Sequence, residues 1–183
     1  MSDRVICRPG GRSARIQASV HEAVRTLSAE IGRAGLTVPV VAARAGVPPS
    51  TIYRRWGDLA NLLADVSARR LHPDQTPAEH GSLRADLQAW VEQYAEEMSS
   101  QPGRQMIRDV VSASAESGVA ARCAGYSAQQ IQLICDRAAA RGETPPEVDR
   151  VLELVVAPIL FRILFDGRPA DRDYCARLLG RVI

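Results

Sequence analysis

The chain predicts an all-α fold, and three observations carry the prediction. Apolar residues recur at helical spacing along most of its length, no segment alternates convincingly as a strand would, and turn-forming clusters cut the pattern into helix-sized pieces. Ile16, Val20, Ala23, Val24, Leu27 and Ile31 stand at offsets of 4, 7, 8, 11 and 15, one face of a helix of 3.6-residue period. Gly32 and Gly35 bracket its end. Thr37 then takes an N-cap position ahead of Val38, Val41, Ala42 and Ala45, the stripe of a short second helix. Pro39 fits its first turn, where the missing N–H has no intrahelical partner in any case. Gly46 falls where a positive φ is wanted, so the chain turns there. Pro49 suits the opening of a third helix, with Ile52 and Trp56, four apart, facing inward.

Asp58 is placed to cap a fourth helix whose buried stripe is Leu59, Leu62, Leu63 and Val66, and Arg69 and Arg70 suit its C-terminal end. The segment H-P-D-Q-T-P-A-E-H-G, residues 72–81, is rich in turn formers and marks a domain boundary. Beyond it Leu83, Leu87, Trp90, Val91, Tyr94 and Met98 predict a long fifth helix, broken at Gln101-Pro102-Gly103. Met106, Ile107, Val110 and Val111 mark a sixth. Residues 119–141 carry Cys123, Ile131, Ile134, Cys135 and Ala138 at helical spacing, with Gly125 as a point where the segment divides or runs on. Residues 147–165 form a helix apolar on most of its circumference, and Tyr174, Leu178, Leu179 and Val182 lie on a last one. The expected organisation is a flexible basic arm (1–12), a three-helix unit (13–57), a connecting fourth helix (58–71) and a larger helical domain (82–183).

Composition narrows the function. With 183 residues, 46% of them hydrophobic, the chain is long enough to bury a core. The start, M-S-D-R-V-I-C-R-P-G-G-R, has no apolar stretch of the kind that directs secretion, and the run Val151–Phe165 is interrupted by Glu153, Pro158 and Arg162. A cytoplasmic address without membrane contact is expected. Cys7, Cys123, Cys135 and Cys175 form no C-x-x-C pair or zinc spacing, so reduced thiols, no metal and no cofactor are expected. The net charge of +2 hides an asymmetry: residues 1–57 hold nine Arg against Asp3, Glu22 and Glu30, while the rest has an excess of acids. A basic first third points to a polyanion, or else to chance segregation of surface charge.

Against this background V-A-A-R-A-G-V-P-P-S-T-I-Y-R-R-W, residues 41–56, reads as a helix-turn-helix whose second helix is presented to the DNA major groove. With Ile52 inward and about 100° per residue, Ser50 and Arg54 lie on the outward side, Thr51 and Tyr53 flank them, and Arg55 is lateral. Arg54 has the fork that reads guanine, Ser50 reaches base or phosphate, and the hydroxyls of Thr51 and Tyr53 suit phosphate oxygens. Pro49 offers an apolar edge. Helical hairpins with glycine turns also occur in proteins that never meet DNA, so the basic charge of the same third is what favours this reading.

Residues 13–66 resemble the DNA-binding domain of the TetR family of bacterial transcriptional regulators. That family's pattern, T-V-x-x-(V/I)-A-x-x-A-G-V, then a T-(L/I)-Y helix ending in an aromatic, then a Leu-rich helix, appears here as T-V-P-V-V-A-A-R-A-G-V-P-P-S-T-I-Y-R-R-W followed by D-L-A-N-L-L. The resemblance implies phosphate contacts from Thr37 and Arg44, and base and backbone contacts from Ser50, Thr51, Tyr53 and Arg54. One departure stands out: members commonly carry a lysine just before the fourth helix, and this chain has Gly57-Asp58, leaving Arg55 or the arginine arm to substitute. V-A-P-I-L-F-R-I-L-F-D-G-R-P is similar, more loosely, to the dimerisation helices of a subset. The implied assembly is a homodimer through Val155, Ile159, Ile163, Tyr174, Leu178 and Val182, reading a near-palindromic operator in double-stranded DNA. A small-molecule effector pocket is implied in the second domain, with Trp90, Tyr94, Met98, Met106 and Phe161 as lining candidates. Two rivals remain at this stage, a helical interaction module without DNA activity and a small all-α enzyme. The second is disfavoured by the lack of H-E-x-x-H, G-x-S-x-G, Walker-type or G-x-G-x-x-G patterns.

Overall fold

The computed structural model describes residues 11–69 and 76–183, and those residues form helices joined by short turns, with no strand among them. The first unit comprises α1 (Arg12–Ile31), α2 (Val38–Ala45), α3 (Pro49–Trp56) and most of α4 (Leu59–Ala68). The second comprises α5 (Leu83–Ser99), α6 (Gln101–Ser112), α7 (Val119–Ala140), α8 (residues 148–166) and α9 (Arg172–Leu179). The two units part inside α4, between Val66 and Ser67, earlier than the turn-rich boundary expected at 72–81. Of the basic arm, residues 1–10 lie outside the described residues, and Arg12 already belongs to α1; residues 70–75, which take in Arg70 at the expected end of the fourth helix and the start of the expected linker, lie outside them too.

The first unit is built around Val20, Val24 and Leu27 of α1, Val41 and Ala42 of α2, Ile52 of α3 and Leu62 of α4, all buried. The periodic stripe thus does what its spacing demands, except at its end, where Ile31 is half exposed. The second unit has its own core, drawn from Leu87, Val91 and Ala95 (α5), Met106 and Ile107 (α6), Ile131, Ile134 and Ala138 (α7), Val151, Val155 and Ile159 (α8) and Leu178 and Leu179 (α9). Val111, placed on the sixth helix's stripe by spacing, instead faces solvent.

Three details depart from the sequence pattern. Gly125 does not divide α7, which runs unbroken. Ser100 serves two helices: its amide closes α5 on the Glu96 carbonyl at 3.1 Å, and its hydroxyl accepts from the Gly103 amide at 3.0 Å to open α6. Here Pro102-Gly103 is the first turn of a helix, with Pro102 at a position that needs no N–H. In α8, π turns at Leu152–Val156 and Arg162–Asp166 flank Ala157–Phe161. Pro158 cannot donate to the carbonyl four residues back, and the widened turn before it, with the Ala157 amide on Leu152, takes up the mismatch. Near the linker, Arg137 donates to the Pro77 carbonyl at 2.6 Å and pairs with Glu79 at 3.1 Å, while Arg141 meets the buried Asp86 at 2.9 Å.

Candidate nucleic-acid interface

The α2–α3 hairpin is set by its caps and its turn. The Thr37 hydroxyl oxygen accepts from the Val40 amide at 3.4 Å, leaving its own hydrogen to donate elsewhere. At the far end of α2, Gly46 adopts φ 68° and ψ 33°, left-handed backbone that glycine enters without a Cβ penalty. The Val47 amide then returns to the Ala42 carbonyl at 3.0 Å, and Ser19 of α1 donates its hydroxyl to the Ala45 carbonyl at 2.8 Å. These contacts hold the angle at which α3 leaves the turn.

Burial along α3 follows the phase expected with Ile52 inward. Ile52 is wholly buried, Thr51, Arg55 and Trp56 are partly so, and Pro49, Ser50, Tyr53 and Arg54 are exposed. Arg54 makes no hydrogen bond or ion pair with any described residue, so its fork is open to a base edge. Arg55 is differently engaged. Its Nη1 donates to both the carbonyl and the hydroxyl of Ser13 at 3.0 Å, and its guanidinium lies 5.1 Å from the centre of the Trp56 ring. It ties α3 to the start of α1. Arg44 is also occupied, by a two-pronged ion pair with Glu30 at 3.0 and 2.6 Å; the Arg44 hydrogen bond holds the Glu30 carboxyl below its ordinary range. At the start of α4, the Asp58 carboxylate accepts from the Asn61 amide at 2.8 Å, filling the place where a phosphate would otherwise meet free N–H groups.

In the second unit, Trp90 and Tyr94 stack with centroids 5.3 Å apart, and burial pushes the Tyr94 hydroxyl, which bonds Ser127, well above its ordinary pKa. Met98 and Met106 lie in the core beside them. Phe161 does not join this group: it is 64% exposed and pairs with Phe165, centroids 5.3 Å apart. Among the described residues no group of three or more His, Cys, Asp and Glu could hold a metal ion, and no helix is long and apolar enough to cross a membrane.

Residues 77–182 match the family model described as the C-terminal domain of tetracyclin repressor-like proteins. The chain belongs to the TetR family of transcriptional regulators. Among this TetR family member's relatives are Rv1556 of Mycobacterium tuberculosis and Mb1581 of Mycobacterium bovis, both named as uncharacterized HTH-type transcriptional regulators. Each is 28% identical over 159 residues, which span 84% of this chain and 79% of the relative. Its fold is like that of the TetR family transcription regulator SCO0332, with a TM-score of 0.62 at 21% identity over 91% of this chain and 96% of that one. A TetR-family transcriptional regulator from Streptomyces coelicolor gives 0.55 at 22% identity, covering 92% of this chain and 99% of the other.

For this TetR family regulator the expected dimer residues need correction. Val155, Ile159, Ile163 and Leu178 are 4% exposed or less and pack into their own chain's core, so they are not free to meet a partner. Tyr174 lies beneath the Arg162 guanidinium, 4.0 Å from its ring centre, and Val182 packs against the same core. What α8 presents outward is Leu154, Phe161 and Phe165, at offsets that keep them on one stripe. Four residues escaped the sequence reading: Ser13 and Glu30, which occupy the arginines, and His21 and Asp65, buried or partly buried polar groups of the first unit. Spacing along the chain carries no signal for such pairs.

Proposed function

We propose that this chain is the subunit of a homodimeric cytoplasmic repressor that reads a near-palindromic operator in duplex DNA and is released by a small-molecule effector. In this reading residues 13–57 read DNA, residues 58–71 connect, and residues 82–183 bind the effector and dimerise; no reaction is assigned to the chain. The observation that supports it is the exposed face of α3, where Ser50 and Arg54, the latter without a partner among the described residues, project opposite a wholly buried Ile52, with Tyr53 exposed on the flank. A short helix so anchored is what a major groove admits. One such helix reads only a few base pairs, which is why a dimer is required. The exposed stripe Leu154, Phe161 and Phe165 supports a partner on α8. The effector is placed in the second unit, near the stacked Trp90 and Tyr94.

A gel shift with the DNA flanking the protein's own gene, repeated at several salt concentrations, tests the reading. A retarded band whose affinity falls steeply with salt is expected. Absence of binding to that DNA and to any sequence in a random duplex pool would leave a helical interaction module as the better description.

A further inference from the structure

One carboxylate oxygen joins three helices of the first unit. Asp65 on α4 turns Oδ2 toward Trp56 Nε1 at 2.9 Å, His21 Nε2 at 3.0 Å and Gln17 Nε2 at 3.2 Å. Trp56 is the last residue of α3, while Gln17 and His21 lie on α1. The His21 side chain is 2% exposed and that of Asp65 17%. An ionised carboxylate only accepts, so all three groups donate and His21 carries its proton on Nε2; its Nδ1 has no partner among the described residues.

Taking a carboxylate and an imidazole out of water costs free energy that a plain apolar contact would not. What hydrogen bonds add is direction, since apolar contact fixes separation but hardly angle. α3 has 8 residues and one wholly buried side chain, Ile52; the Arg55–Ser13 bonds tie one flank of it to α1, and the Trp56–Asp65 bond adds a second directional tie, to α4, that opposes rotation about its own axis. A roll of about 20° at a side-chain radius of about 6 Å moves an outward group by about 2 Å, enough to break a bidentate contact to a base.

We propose that Asp65 is a positioning residue of the reading head: by accepting from Trp56 it sets the roll of α3, and so the bases Arg54 reaches, without itself touching DNA. The inference rests on the DNA-reading function proposed above.

The test uses the full chain and a pool of random duplexes of about 30 bp, long enough for two half-sites, enriched on the wild-type protein. Affinities are then measured for the enriched duplex and for a shuffled duplex of equal composition, at one salt concentration and well below the melting temperature. Trp56→Phe keeps an aromatic ring at the position and deletes the N–H together with part of the indole's volume. It should weaken binding to the enriched duplex about tenfold, the loss of one hydrogen bond to a charged group, and leave the shuffled duplex within about twofold. Asp65→Asn should do the same, and the double variant should be no worse than either single one, as for partners in one contact. A Trp56→Phe protein that melts lower yet keeps the wild-type ratio of the two affinities would show that the carboxylate serves stability alone, and would overturn the proposal. If Asp65→Asn does not fold, Trp56→Phe decides the matter. A wild-type protein that enriches no sequence sinks the DNA reading itself, a different outcome from a wild type that enriches one and a variant that matches it.

Discussion

Arg54 and Arg55 are chemically identical neighbours with different surroundings. A step of about 100° along α3 leaves Arg54 opposite Ile52 and brings Arg55 round to Ser13 and the Trp56 ring. Replacing Arg54 by alanine should relax sequence preference at a single base position by about 1–3 kcal/mol while leaving the fold intact. Binding measured against a set of single-base operator variants would show it, and an even loss across all variants would mean that Arg54 meets phosphate instead. The outward face was legible in the sequence because a helix repeats by a local rule. The engagement of Arg55 and Arg44 was not, since Ser13 lies 42 residues from Arg55 and Glu30 lies 14 from Arg44. Nothing in those separations distinguishes a free arginine from an occupied one.

At the scale of elements, the ends of helices govern behaviour. Asp58 caps α4 with its carboxylate on the Asn61 amide, which places a negative charge at a helix start where the family commonly has a lysine nearby. Asp58→Asn retains a side-chain oxygen for the cap and removes the charge. It should raise affinity for duplex DNA by about two- to fivefold, the size of one charge acting on a helix terminus, and the gain should shrink as salt is added. A salt titration of both proteins checks this. At the α5–α6 junction a Cβ on Gly103 would stand 2.0 Å from the Glu97 carbonyl oxygen and 2.8 Å from the Met98 Cα. Both neighbours are backbone and cannot swing aside. Gly103→Ala is therefore expected to destabilise the chain by about 1–3 kcal/mol or more, read from the shift in a urea unfolding curve. The sequence marked Gln101-Pro102-Gly103 as a break, and correctly so for α5, yet the same residues begin α6. Proline and glycine announce that a helix ends without saying how closely the next one is packed against it.

For the whole molecule, assembly follows from which apolar residues remain uncovered. Residues 147–165 are apolar around most of the circumference, and the family resemblance implied that Val155, Ile159 and Ile163 meet a partner. They are instead buried in their own chain, and Phe161 and Phe165, at 64% and 75% exposure, take the outer face. The double variant Phe161→Glu, Phe165→Glu should fold as the wild type does, since neither ring supports the core, and should sediment as a monomer. Operator affinity should drop with it, because a single reading head covers one half-site. An unaltered dimer in sedimentation would move the interface elsewhere. A basic first third can recruit a polyanion from a distance, but the Arg44–Glu30 pair shows that part of that charge is balanced internally.

Most of the helices, the caps at Thr37 and Asp58, the glycine turn at Gly46 and the outward phase of α3 are legible in the order of the amino acids. All of these are settled by residues within about one helical turn of each other, where sterics and capping leave few choices. Which arginines stay open to a ligand, which face of α8 is core, and the gathering of Gln17, His21 and Trp56 onto one oxygen of Asp65 follow from the folded chain alone. Those outcomes depend on side chains far apart in the chain meeting at hydrogen-bond distance. A helix apolar all round offers no local reason to prefer one face over another until its neighbours pack against it.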